Sequence, residues 1–204
     1  MDEFGMGGTG TTAKTGVIRN PWDTRRMCAG SSSGSAAAVA AGVYPYALGS
    51  DTGDSVRKPA SHTGLVGFKP TWGRISRFGL FPFAPSLDTV AYFTKDVLDS
   101  AYVLSCLAGH DSKDMSSSYR KKEKYQNYVL SPRSFKRVGY FKAVLDAMKD
   151  DEIKASFLAL LEKLKNAGYE VIEYDYPVAL LDALYPTYMI ISCAEATSND
   201  ANLD

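Results

Sequence analysis

Two serine-containing loops, separated by a helix and a strand, place the strongest constraint on how this chain can fold. The first loop, "AGSSSG", leads into a run of small helix-forming residues at 35–42, and its serines can cap the start of that helix. The second loop, "GSDTGDS", follows a predicted strand at 43–50. A helix that packs back along that strand brings both loops to the same end of a sheet, which would place Ser31 near Ser55.

Strands and helices alternate along the rest of the chain. Alternation of apolar and polar residues predicts strands, and apolar residues three to four positions apart predict helices. The predicted strands are 88–94, 137–141 and 169–177, and the predicted helices are 96–107, 150–167 and 179–194. The strand–helix–strand–helix order over 137–194 is typical of an α/β sheet with helices on its faces, so we predict an α/β fold.

A polar stretch over 111–136 interrupts this pattern. Residues 111–137 contain eight Lys and Arg against three Asp and Glu, an excess of five positive charges. Such runs usually form a solvated surface, so we interpret this stretch as a linker-like segment within a single partial domain spanning 1–204. A contact with RNA is the alternative interpretation.

The composition excludes several classes of protein. The formal net charge is zero, which gives no reason to expect a polyanionic partner for the chain as a whole. Three cysteines without CxxC spacing predict neither a disulfide framework nor a metal site. We find no apolar run near membrane-spanning length and no signal peptide, so we expect a cytoplasmic protein without a membrane partner. The glycine-rich start and the helix that runs close to the C-terminus lead us to expect a fold that is incomplete at both ends.

Two short motifs match known fingerprints without their usual context. Residues 5–10 match G-x-G-x-x-G, but a dinucleotide site needs a strand before this motif and a helix after it. Residues 30–34 match G-x-S-x-G, the nucleophile elbow of α/β-hydrolases, but no buried strand is predicted ahead of it. His62 and His110 are the only histidines that could act as its base, and this elbow is the second enzymatic hypothesis.

A serine nucleophile without a histidine needs another proton acceptor. A serine hydroxyl both donates and accepts hydrogen bonds, so Ser31 can pass on the proton of Ser55. A lysine can be the final acceptor when its surroundings bring its pKa near 7.

The stretch "AGSSSGSAAAVAAG…ALGSDTGDSVRKPASHTGLVGFKPTWGRISRFG" resembles the signature of the amidase signature family, whose members are Ser–cis-Ser–Lys amidohydrolases. Within that family, "MDEFGMG", "RNPWD", "SLDTVAYFT" and "AEATSN" are similar to the A subunits of glutamyl-tRNA(Gln) amidotransferases. The resemblance is dense over 1–94, thin over 95–184 and recognisable again over 185–199. It implies a mixed β-sheet core covered by helices on both faces.

The resemblance also implies roles for individual residues. Ser55 matches the nucleophile, and Ser31 matches the cis-serine that relays its proton, with a cis peptide bond between Gly30 and Ser31. The backbone N–H groups of Thr52, Gly53, Asp54 and Ser55 match the oxyanion hole. Tyr188 matches a tyrosine near the bound glutamine.

Two departures from the family pattern affect these roles. The family lysine lies several tens of residues before the cis-serine, whereas only 30 residues precede Ser31, and Lys14 lies too close to match. We therefore expect this chain to lack the base and to have little or no amidase activity by itself. Asp54 stands where the family has glycine, and its carboxylate would repel a developing oxyanion. Either this side chain points to solvent or to a cation such as Arg57 or Lys58, or the site in this lineage is weakened.

The resemblance implies an ammonia-generating glutamine amidohydrolase within a tRNA-dependent amidotransferase. The implied partners are other amidotransferase subunits, Glu-tRNA(Gln) through the complex, and glutamine as the small-molecule substrate. It implies no cofactor or metal for this chain, and ATP and magnesium for a partner subunit. The alternatives are a stand-alone amidase for small amides and a non-catalytic scaffold that binds partner subunits.

Overall fold

A computed structural model describes residues 1–131 and 136–203, which form two compact units. The first unit comprises residues 1–131 and 191–203, and the second comprises residues 136–190. Each unit is described by itself.

The first unit is built around a three-stranded antiparallel sheet. Its helices and strands are β1 Arg19–Asn20, β2 Asp23–Met27, α1 Ser33–Ala40, β3 Tyr46–Ser50, α2 Arg57–Thr63, β4 Val66–Phe68, β5 Val90–Thr94, α3 Val97–Leu107 and α4 Gln126–Leu130, after a 3-10 turn at Glu3–Gly5. The strand order is β3-β5-β4, so the largely buried β5 is central. The β1–β2 hairpin forms a separate small sheet.

Alternation along β5 assigns its side chains to two apolar clusters. Ala91 and Phe93 belong to the cluster that includes Val39 of α1 and Ala60 of α2. Tyr92 belongs to a second cluster, with Ile75, Leu104 and Ala108. Because neighbouring side chains of a strand point to opposite faces, helices cover both faces of this sheet, as predicted.

The second unit contains a parallel pair of strands and its connecting helices. Its elements are β6 Arg137–Phe141, α5 Lys142–Asp146, α6 Asp151–Asn166 and β7 Glu170–Tyr174. The Asp150 carboxylate caps α6 by accepting from the N–H groups of Glu152 and Ile153, at 3.0 Å each. Gly168, with φ of 83°, follows the helix in a left-handed conformation. The α/β class is confirmed, although the described strands form three sheets rather than one.

Helix α7, Val178–Asp200, differs most from the sequence prediction. It extends past the predicted end at 194, and it is long and apolar enough to cross a membrane by length and composition alone. The expectation that no segment reaches such a length is therefore wrong for this helix. Pro186 lies within it, and its buried residues are Ser192 and Ala196.

Most of the basic stretch predicted as a linker belongs to the first unit, and hydrogen bonds join it to the rest of that unit. Arg74 donates to the carbonyl oxygens of Arg120 and Lys121 and to the hydroxyl of Tyr125. Asp114 is buried and accepts from the N–H of Arg77 at 2.7 Å. Residues 132–135 of that stretch lie outside the described residues, and the RNA contact stays a prediction.

Candidate active site

The two serine loops meet at the end of β3. The N–H of Ser32 donates to the carbonyl oxygen of Ser55 at 3.1 Å. The Ser32 hydroxyl lies 3.2 Å from both the N–H and the carbonyl oxygen of Ser50, where it accepts from one and donates to the other. These bonds join residues far apart in sequence, so the spatial prediction that paired Ser31 with Ser55 holds for their loops.

Both candidate catalytic serines are buried. Ser31 is 0% exposed and Ser55 is 5% exposed. The Gly30–Ser31 peptide bond is cis, as the resemblance implied. The Ser31 hydroxyl has no hydrogen-bond partner among the described residues. Buried hydroxyls nearly always have a partner, and the Ser33 hydroxyl also lacks one among the described residues. Of the two, only Ser31 matches a residue of the family's proton relay.

Asp2, which sequence reasoning missed, supports the Ser31 loop from the N-terminal segment. Its N–H donates to the carbonyl oxygen of Ser31 at 2.8 Å. Its fully buried carboxylate accepts from the N–H of Gly10 at 3.0 Å and from the N–H and hydroxyl of Thr12 at 3.1 and 2.9 Å. A side chain on Gly30 would collide with this carboxylate.

The G-x-G-x-x-G match at 5–10 therefore has a structural explanation. Gly7 and Gly10 have φ values of 108° and 75°, which favour glycine, and their backbone wraps around the Asp2 carboxylate. The glycines of this match thus surround an acidic side chain of the chain itself.

Asp51 organises the nucleophile loop. Its fully buried carboxylate accepts from the N–H groups of Val56 and Arg57 at 3.0 and 3.2 Å, and forms ion pairs with Arg57 and Lys69 at 3.0 and 3.1 Å. Burial raises the pKa of this carboxyl, but the hydrogen bonds from Arg57 and Val56 and the charges of Lys69 and Arg57 outweigh it. The net pKa lies below the ordinary range for aspartate.

A second carboxylate fixes the other side of this loop. Asp88 accepts from the Thr52 hydroxyl at 2.6 Å and from the N–H groups of Phe83 and Ala84. The loop around Phe83 is held in turn by α7, because Asn199 donates to the carbonyl oxygen of Phe83 at 3.1 Å and Glu195 accepts from the N–H of Ser86 at 3.0 Å. This explains the structural part played by the "AEATSN" segment.

The oxyanion-hole prediction concerns the N–H groups between these two supports. In the part of the chain that the structure describes, the N–H groups of Thr52, Gly53 and Asp54 donate to no acceptor, whereas those of Val56 and Arg57 donate to Asp51. Free N–H groups next to a serine can stabilise a developing oxyanion. Their role in this chain stays a prediction.

The two lysines nearest the nucleophile loop are both engaged as cations. Lys69 donates to Asp51 and to the carbonyl oxygen of Thr52 at 3.3 Å. Lys58 forms an ion pair with Asp54 at 3.1 Å, so the Asp54 carboxylate faces a cation, as one of the two sequence-based options required. Among the described residues, no hydrogen bond joins either lysine to the Ser31 hydroxyl.

The structure also bears on the remaining candidates. Ser32 is the central serine of the G-x-S-x-G match. Its hydroxyl forms hydrogen bonds with the backbone of Ser50, which argues against a nucleophile elbow. His62 lies exposed in α2, and His110 stacks on Tyr119 with ring centroids 4.0 Å apart. Tyr188 lies half-buried on α7 in the second unit, and its contact with glutamine stays a prediction.

No group of three or more His, Cys, Asp or Glu side chains among the described residues could hold a metal ion. The cysteines are free, with Cys28 buried and Cys106 and Cys193 exposed.

Comparison with known proteins gives consistent matches. The family model described as Amidase matches residues 1–204. The A subunit of the glutamyl-tRNA(Gln) amidotransferase of Agathobacter rectalis is 43% identical over 204 residues, which are 100% of this chain and 40% of that protein. The corresponding protein of Koribacter versatilis is 44% identical over 203 residues and is covered to 42%.

Solved structures agree with these relatives. The crystal structure of the A subunit of the glutamyl-tRNA(Gln) amidotransferase from Thermotoga maritima has a TM-score of 0.87 and 36% identity, over 99% of this chain and 44% of that one. A 6-aminohexanoate cyclic dimer hydrolase has a TM-score of 0.72 and 34% identity, over 86% of this chain and 38% of that one. The chain thus spans about two fifths of the length of the proteins it matches.

Proposed function

This chain belongs to the amidase signature family, and from that premise we propose that it is the glutamine-hydrolysing core of a glutamyl-tRNA(Gln) amidotransferase. The observation that carries the proposal is the meeting of two loops: one presents a buried hydroxyl without a partner at Ser31, and the other presents Ser55 next to free N–H groups. The similarity to the A subunits of such amidotransferases supports this choice of substrate.

The proposed reaction proceeds in two steps. The Ser55 oxygen attacks the side-chain carbonyl of glutamine while Ser31 accepts the Ser55 proton and passes its own onward. The negatively charged oxygen of the tetrahedral intermediate accepts hydrogen bonds from the N–H groups of Thr52, Gly53 and Asp54. Breakdown returns a proton to the leaving nitrogen and releases ammonia, and water then hydrolyses the acyl-enzyme to glutamate.

In this proposal the final proton acceptor lies outside the described residues. The Ser31 hydroxyl has no partner among them, and the nearby Lys58 and Lys69 are held in ion pairs. A lysine of the kind that the family uses would complete the relay by accepting the proton from Ser31.

The proposed partners follow from the same similarity. Ammonia would pass to another subunit that uses ATP and magnesium to activate Glu-tRNA(Gln), and the complex would work in the cytoplasm. A free ammonia molecule has to be delivered without loss to solvent, so the proposal requires contact between the subunits.

Ammonia release from glutamine, measured on the protein as its gene encodes it together with its partner subunits, tests the proposal. Ser55→Ala and Ser31→Ala should each lower kcat by at least about a thousandfold, because removal of one member disables the relay. Ser156→Ala, an exposed serine on α6, is the matched control and should not change the rate. Undiminished hydrolysis by Ser55→Ala would refute the proposal.

A stand-alone amidase is the second candidate, because the structural neighbours include a hydrolase of 6-aminohexanoate cyclic dimer and a peptide amidase. A panel of small amides distinguishes the two. Strong preference for glutamine and stimulation by partner subunits support the amidotransferase, whereas broad activity without partners supports the second candidate. Absence of any hydrolysis and of Ser55 labelling by a fluorophosphonate probe would favour a non-catalytic scaffold.

A further inference from the structure

A carboxylate stands at an unfavourable place in the nucleophile loop. Asp54 directly precedes Ser55, and its N–H belongs to the proposed oxyanion-binding group. Its side chain is 52% exposed, so its charge is only partly screened by water. An unpaired negative charge here would oppose the negative charge that forms on the substrate oxygen.

Lys58 is held where it can cancel that charge. It lies one helical turn after Asp54, and its N–H donates to the carbonyl oxygen of Asp54 at 2.8 Å. Its ammonium nitrogen lies 3.1 Å from the Asp54 carboxylate, and its side chain is 34% exposed. Among the described residues, the other cations near the loop, Arg57 and Lys69, form their ion pairs with Asp51, and Arg57 interacts with the Asp54 charge without forming an ion pair with it.

The same ammonium group also reaches the N-terminal segment. A side-chain carbon on Gly8 would lie 2.7 Å from the Lys58 nitrogen, so the lysine lies across the backbone of Gly8. Gly8 belongs to the glycine-rich segment whose Gly10 is bonded to Asp2, and Asp2 holds the Ser31 loop. Lys58 is thus in contact with both segments that frame the serine pair.

We propose that Asp54 and Lys58 act as one neutral unit, in which Lys58 is a positioning residue that keeps the oxyanion hole usable despite the carboxylate at 54. The inference rests on the proposed function, because it concerns the oxyanion of amide hydrolysis. It predicts that the effects of the two side chains on the rate are interdependent: replacing Lys58 lowers the rate only when Asp54 is present.

A double-mutant cycle on the protein as its gene encodes it, with its partner subunits, tests this interdependence. Lys58→Gln should lower kcat for glutamine hydrolysis about three- to tenfold with a smaller change in KM, and the loss should shrink at high salt. Lys58→Arg should keep at least half of the wild-type kcat. The single variants Asp54→Gly and Asp54→Asn complete the cycle, and adding Lys58→Gln to either of them should change kcat by less than about twofold.

Lys142→Gln is the matched control, because it breaks the i,i+4 ion pair between Lys142 and Asp146 in the second unit. It should leave kcat unchanged. A Lys58→Gln variant with wild-type kcat, or the same fold loss when Lys58→Gln is added to Asp54→Gly or Asp54→Asn, would overturn the inference while leaving the proposed function intact. Wild-type protein without amide hydrolysis would overturn both.

Discussion

The N–H of Ser32 donates a hydrogen bond to the carbonyl oxygen of Ser55 across 3.1 Å. This single bond joins two loops that are separated in sequence by α1 and β3. The bond joins the backbone N–H of Ser32, the neighbour of Ser31, to the backbone carbonyl oxygen of Ser55. It therefore uses neither the Ser31 hydroxyl nor the Ser55 hydroxyl. The arrangement therefore separates the backbone atoms that hold the loops together from the hydroxyls that are proposed to react.

Ser32→Ala tests this separation. Its hydroxyl bonds to the backbone of Ser50, so its loss should lower the free energy of unfolding by about 1–2 kcal/mol. Because the backbone bond to Ser55 remains, kcat should stay within about tenfold of wild type. Chemical denaturation and ammonia release measure the two effects. Complete loss of activity in a folded Ser32→Ala protein would support the nucleophile elbow instead.

Asp2 should contribute strongly to the stability of the fold, although it is the second residue of the chain. Asp2→Ala leaves the buried N–H of Gly10 without its acceptor, which costs about 1–3 kcal/mol, and also removes the acceptor of the more exposed N–H of Thr12. We expect a loss of about 2–4 kcal/mol in the free energy of unfolding, measured by urea denaturation. The exposed neighbour Glu3→Gln is the control and should change it little. Equal stability of the Asp2→Ala and Glu3→Gln variants would contradict the support assigned to Asp2.

The lowered pKa of Asp51 predicts that the free energy of unfolding depends on pH. The pKa of its carboxyl is lowered in the folded chain, so its stabilising contribution is present above the unfolded pKa and is lost as pH falls through the folded one. Asp51→Asn should therefore lower the free energy of unfolding by about 3 kcal/mol near pH 7. This is the low end of the loss expected when one partner of a buried ion pair is removed, because Arg57 and Lys69 are partly exposed.

The difference between wild type and Asp51→Asn should begin to narrow below about pH 4, where the carboxyl of the unfolded chain becomes protonated, and should narrow further as pH falls through the lower pKa of the folded state. Urea denaturation at pH 7, 5 and 3.5 measures this trend. Asp23→Asn removes an exposed ion pair with Arg25 and should have little effect at any of these pH values. A constant difference across the pH range would show that the charge of Asp51 is not what stabilises the loop.

Sequence reasoning locates the serine loops because small residues, glycines and a helix start are local signals. It predicts the helix at α1 and the strand at β5 within a few residues of their observed bounds for the same reason. Strand β4 is absent from the predicted strands, because Val66–Phe68 becomes a strand only by pairing with β5. It misses Asp2 and Asp88 because their partners, such as Gly10 and Thr52, are known only once the chain is folded.

The 204-residue chain by itself should have almost no glutaminase activity, even when folded. Its Ser31 hydroxyl has no hydrogen-bond partner among the described residues, so a proton taken from Ser55 has no onward path. We expect ammonia release at least about a thousandfold below that of the protein as its gene encodes it, since loss of one relay member removes most of the rate.

Circular dichroism and urea denaturation would verify that the chain is folded in that assay, and Ser55→Ala of the same chain would give the background rate. A rate well above this background would contradict the prediction and would mean that the proton acceptor lies within these residues. Lys58 and Lys69 would then be the side chains to replace, because they lie closest to the nucleophile loop. Loss of the activity in Lys69→Met but not in Lys58→Met, for example, would identify the lysine that contacts the carbonyl oxygen of Thr52 as the acceptor.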